Sequence, residues 1–79
     1  MAYKDIINDV LEEVAAAEKK YPSFRSSHEG YAIIKEELDE LWDEVRRKDA
    51  YYPRHYTEAK HIACTAIRYM IFADRMKVK

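Results

Sequence analysis

The chain has 79 residues, with 14 basic and 15 acidic side chains, a net charge of -1, one cysteine, one glycine and two prolines. So short a chain forms one domain (residues 1-79) with a marginal core, which disulfides, metals or partner chains normally reinforce; the lone Cys64 excludes an internal disulfide. The near-neutral charge argues against a nucleic-acid polymer as partner, since phosphate binding draws on a basic excess.

Arg46-Arg47-Lys48 and the tail Arg75-Met76-Lys77-Val78-Lys79 are only local basic clusters, of the kind the helix macrodipole favours at C-termini. No apolar run approaches the ~20 residues that span a bilayer. The segment Met1-Ala2-Tyr3-Lys4-Asp5 lacks the order of a signal peptide. With an unpaired cysteine, these features lead us to expect a soluble protein of the cytoplasm and no membrane partner.

Three helices are expected. In the first, Tyr3 to Lys20, the residues Tyr3, Ile6, Ile7, Val10, Val14 and Ala17 recur at three- and four-residue spacing and make one stripe. Pro22 ends it by disfavouring helical geometry at Tyr21. Ser26 and Glu29 have capping-box spacing, so a second helix starts at Ser26 or Ser27 and runs to about Lys48. Tyr31, Ile34, Leu38, Leu41, Trp42 and Val45 form its expected buried stripe. Pro53 breaks the chain again, Thr57 is a candidate cap, and a third helix covers about Arg54 to Met76.

The third helix is apolar on two sides. Ala59, Ile62, Ala63, Ala66, Tyr69, Met70 and Ala73 form the expected core face, while Cys64, Ile67 and Ile71 extend onto another. Three helices cannot surround such an element, so its second side is expected to meet another subunit. The expected architecture is all-α: a three-helix protomer assembling into a helical-bundle homo-oligomer.

The segment from Lys35 to Glu44 carries the densest chemistry. Glu37, Glu40 and Glu44 lie within about 60° of one another on one flank of the helix. Like charges so placed repel, and magnesium or manganese, which favour carboxylate oxygens, would neutralise them. A solvated acidic face is the plainer reading of the same residues. Glu58 and His61, three apart on the third helix, would face Glu37 and Glu40 across a groove if the two helices pack antiparallel.

Glu36-Glu37-Leu38-Asp39-Glu40 reads E-E-x-x-E, and Glu58-Ala59-Lys60-His61 stands where an E-x-x-D motif would follow. Over roughly Ser26 to Ala73, with Ser27-His28-Glu29-Gly30-Tyr31 as lead-in, the chain resembles the MazG-like all-α nucleoside triphosphate pyrophosphohydrolases. The resemblance implies magnesium-dependent (Mg2+, or Mn2+) cleavage of a nucleoside triphosphate into monophosphate and pyrophosphate by a dimer or tetramer. It makes Glu37, Glu40 and Glu58 metal ligands, with His61 in the place of an aspartate. It makes Glu36 the carboxylate that orients or deprotonates the attacking water.

His61 departs from the family pattern, and a nitrogen donor suits manganese, iron or zinc better than magnesium. Lys35, Arg68, Arg25 and Lys60 are candidate phosphate partners. Trp42, Tyr31 and Phe24 are candidates for a base pocket, although aromatics at such spacings also serve as core. Two other readings stand beside the hydrolase. One is a non-catalytic oligomeric binding or accessory module derived from that family. The other is a di-metal carboxylate oxidase, whose Glu-x-x-His signature normally occurs twice but here once.

Overall fold

The computed structural model describes residues 1-77 and consists of three α-helices: α1 (Tyr3–Lys20), α2 (Ser27–Val45) and α3 (Tyr52–Met76). Val78 and Lys79 of the basic tail lie outside the described residues. Among the described residues there is no strand, and no helix is long and apolar enough to cross a membrane.

Local sequence sets the helix ends. Tyr21 is extended before Pro22, which stops α1. Ser26 Oγ accepts from the Glu29 N–H at 3.1 Å. The Glu29 carboxylate does not return to Ser26, as a full capping box requires, but accepts from the Arg25 N–H at 3.0 Å and from its Nε at 2.8 Å. α2 stops at Val45, three residues short of Lys48, and the Arg47–Asp49 ion pair lies in the following turn.

Pro53 does not precede α3 but occupies its first turn, where a missing N–H costs nothing. Tyr51 is therefore the N-cap residue. Thr57 lies inside the helix instead of capping it, its hydroxyl donating to the Pro53 carbonyl at 3.0 Å.

α3 is the centre of the molecule. α2 packs antiparallel to it, with Arg54 bonded to Glu44 at one end and Tyr69 against Gly30 at the other. α1 runs parallel to it: Tyr56 donates to Asp9 at 2.6 Å, and Arg68 donates to Glu18 at 3.0 Å. α1 and α2 both pack on α3 and not on each other, which leaves a groove between them. The core is thin. Val14, Phe24, Cys64 and Phe72 are buried, and among the described residues no large side chain is fully enclosed.

Phe24, in the α1–α2 connection, anchors the upper end, with ring centroids 6.2 Å from both Tyr69 and Phe72. The side of α3 that builds this core corrects the expectation. Cys64, Thr65 and Phe72 point inward, whereas Ala59, Met70 and Ala73 of the expected core face are exposed. The rotation of α3 is set by its polar anchors, because Tyr56, Lys60 and Arg68 must reach the acids of α1 while Arg54 reaches Glu44 of α2.

The same rotation overturns the expected buried stripe of α2. Trp42 is 59% exposed, and Tyr31, Leu38 and Val45 are also open. In α1 only Val14 is buried, while Tyr3, Ile6 and Ile7 are exposed. By helical geometry the open α2 stripe and the alanine-rich side of α3 share one side of the molecule, opposite the groove.

Candidate metal centre and adjoining cavity

α2 contributes Glu37 and Glu40, and α3 contributes Glu58, His61 and Thr65. Antiparallel packing brings these groups together in mid-helix, while the groove expected between the two helices lies instead between α1 and α2. One donor atom each from Glu40, Glu58 and His61 lies within 4.8 Å of the others. His61 Nδ1 stands 3.6 Å from Glu58 Oε2, too far for a hydrogen bond.

Two carboxylate oxygens here, Glu58 Oε2 and Glu37 Oε1, are buried and have no hydrogen-bond partner among the described residues. Buried polar atoms are normally paired, so these two call for a proton or a cation. The carboxyls respond as crowded acids should. Burial pushes Glu37 above the ordinary carboxylate range, opposed by the Thr65 hydroxyl and by His61. Glu40 is raised chiefly by its side-chain hydrogen bond with Glu58, then by desolvation.

A divalent cation between Glu40, Glu58 and His61 would offset their crowded charge and satisfy the orphaned Glu58 oxygen, so the residues present fit one. Two carboxylates and an imidazole form a mixed oxygen and nitrogen set, better matched to manganese than to magnesium.

Other expected site residues are placed differently. Glu37 lies beside the three-residue cluster and also lines the cavity described below. Glu44, on the same flank, is taken up by an ion pair with Arg54. Glu36 is exposed, one helical turn before Glu40. Lys35 pairs with Asp39 at 3.4 Å on the outer side of α2.

Arg68 is held by Glu18 and by the Pro22 carbonyl, and its guanidinium lies over the Phe24 ring. Lys60 faces Asp9 and Glu13, and Arg25 pairs with Glu29. Trp42 and Tyr31 do not line the cavity, whereas Phe24 does.

The groove between α1 and α2 holds a cavity of about 470 Å³, floored by α3. Ala17, Phe24 and Ile33 are among its apolar walls, and His61 belongs both to this cavity and to the metal cluster. Sequence reasoning missed Glu13, Cys64 and Thr65, which also line it. Thr65, a hydroxyl in the apolar middle of α3, was a legible signal. Glu13 was not, since it reads as one more acid beside the α1 stripe. In comparisons with known proteins, no family model, curated protein or solved structure matches this chain.

Proposed function

We propose that this protein is a divalent-cation-dependent nucleoside triphosphate pyrophosphohydrolase that works as a homo-oligomer, a dimer or a tetramer. The observation that carries the reading is the meeting of Glu40, Glu58 and His61, two of them acids, at the edge of a cavity sized for a small molecule. Glu40, Glu58 and His61 would hold the cation. When bound, it offsets phosphate charge and makes a coordinated water more acidic.

Glu36, exposed and adjacent to Glu40, accepts the proton from the attacking water. The water oxygen bonds to the α-phosphorus, the bond from that phosphorus to the bridging oxygen breaks, and pyrophosphate leaves. Glu37, half-buried beside the cluster, also lines the cavity and so joins the two. A nucleotide substrate and a single buried thiol both suit a reducing, cytoplasmic setting.

One observation favours the non-catalytic alternative. Lys35, Lys60 and Arg68 are each engaged by an acid of this chain, and none is aimed at the cluster. Phosphate charge must then be met by the cation and by a second subunit, or not at all. The decisive experiment measures pyrophosphate released from a panel of nucleoside triphosphates with magnesium or manganese. Glu40→Gln should abolish release; a panel with no turnover under either metal leaves the oligomeric binding module as the better account.

A further inference from the structure

The cavity has a chemical character of its own. Two carboxylates enter it from opposite walls, Glu13 on α1 and Glu37 on α2. Cys64 lies in the floor between them: burial, then Glu13, pushes its thiol pKa upward, with Glu37 adding to the effect. The other charged wall groups are already engaged, Arg68 by Glu18 and Glu29 by Arg25. Glu37 Oε1 has no partner among the described residues, and Glu13 pairs only loosely with Lys60, at 3.8 Å, a lysine that it shares with Asp9.

An anionic group placed here would meet two carboxylates. A phosphate is therefore disfavoured, since Arg68 in the wall is already held by Glu18, and the walls suit an occupant that brings hydrogen-bond donors on a flat apolar body between Ala17, Phe24 and Ile33. A nucleobase bearing an exocyclic amino group has that form, and carboxylates accept from such amino groups. A base with a carbonyl at the same position turns a lone pair toward the acid. His61, shared with the cluster, sets the direction: base in the cavity, phosphates toward Glu40 and Glu58.

We propose that the cavity is a base-binding site selecting amino-bearing bases, with Glu37 accepting from the amino group and Glu13 facing it from the opposite wall. The proposal rests on reading the neighbouring cluster as the phosphate end, but its test needs neither metal nor turnover. Adenosine, inosine, cytidine and uridine are titrated by calorimetry in the presence of a chelator. Alkylation of Cys64 is followed in parallel as a report of cavity occupancy.

Adenosine and cytidine should bind at least about tenfold more tightly than inosine and uridine, the worth of one hydrogen bond to a charged acceptor. They should also slow the alkylation of Cys64. Glu37→Gln should abolish the discrimination, because an amide both donates and accepts, while its melting temperature reports that the fold is kept.

Equal affinity for amino and carbonyl bases, or binding that leaves Cys64 unprotected, would overturn the proposal. So would protection by 1,4-diaminobutane but by no nucleoside, which would make the cavity an organic-cation site. Discrimination among nucleosides without pyrophosphate release from their triphosphates would uphold the cavity and remove the hydrolase. Turnover without nucleoside discrimination would do the reverse.

Discussion

Gly30 of α2 lies against the ring of Tyr69 on α3 so closely that a β-carbon on Gly30 would sit 2.6 Å from Tyr69 Cδ2 and 2.9 Å from Phe24 Cδ2. Gly30 is in a helix with ordinary backbone angles, so its absent side chain serves approach and not conformation. Alanine would favour the helix by about 1 kcal/mol, while overpacking costs about 1–3 kcal/mol. The Tyr69 ring cannot withdraw freely, because Phe24 and Phe72 bracket it. Gly30→Ala should therefore lower stability in urea melts, and Tyr69→Ala in the same chain should relieve part of the loss. A stabilised Gly30→Ala variant would show that the two helices separate at this end.

The open side of α2 and α3 should be covered by a second copy of the chain. Trp42 is 59% and Met70 68% exposed in the single chain, and large apolar groups of this kind mark interfaces when contiguous. Sedimentation at micromolar concentration should show at least a dimer, and Met70→Glu with Leu38→Glu should reduce it to monomer. Trp42→Ala should cost well under the ~3–5 kcal/mol of a core aromatic in a monomer, and should shift the assembly equilibrium instead. A wild-type monomer with a cooperative melt would contradict this assembly.

If the cluster holds a cation as proposed, manganese should raise the melting temperature, because a ligand of the folded state alone stabilises it. At a hundred times its dissociation constant a ligand adds about 2.7 kcal/mol. Glu40→Gln should remove most of that increment. His61→Asp should strengthen magnesium relative to manganese by making the donor set all oxygen. Calorimetry on the three proteins decides the point; equal responses in wild type and Glu40→Gln would mean that no cation binds at this cluster.

Acid should stabilise the metal-free protein before it destabilises it. Glu37 and Glu40 have folded pKa values above the ordinary 4.5, so the folded state holds more protons than the unfolded one. Their charged forms cost stability near neutral pH, and that cost is relieved as pH falls through their raised folded values toward 4.5. Asp9, lowered chiefly by its hydrogen bond from Tyr56, and Glu29, lowered chiefly by the Arg25 N–H, act oppositely: their contribution is lost as pH falls through their depressed values.

Metal-free melting temperature should thus pass through a maximum on the acid side of neutrality. The increment from manganese should shrink over the same range, because its ligands must give up their protons. Glu37→Gln with Glu40→Gln should flatten the acid-side rise, and an unchanged profile would disprove the crowding.

Local chemistry was legible in the residues themselves. Periodicity marked three helices, Pro22 stopped the first where α1 ends, and Ser26 marked the start of α2. These features act over one or two turns and need no partner. The spacing of Glu37 with Glu40 and of Glu58 with His61 also placed each pair on one helical face.

Tertiary structure alone decided how those faces turn. An apolar stripe states that a surface wants cover but not which neighbour supplies it, and α3 offered two such surfaces. Ion pairs and hydrogen bonds from Tyr56, Lys60 and Arg68 to α1, and from Arg54 to α2, selected the Cys64 and Phe72 side. That choice left Trp42 open, paired Glu44 with Arg54, and placed Glu13 across a cavity from Glu37. Each of these outcomes depends on residues far apart in the chain meeting at one angle, which no spacing within a single helix encodes.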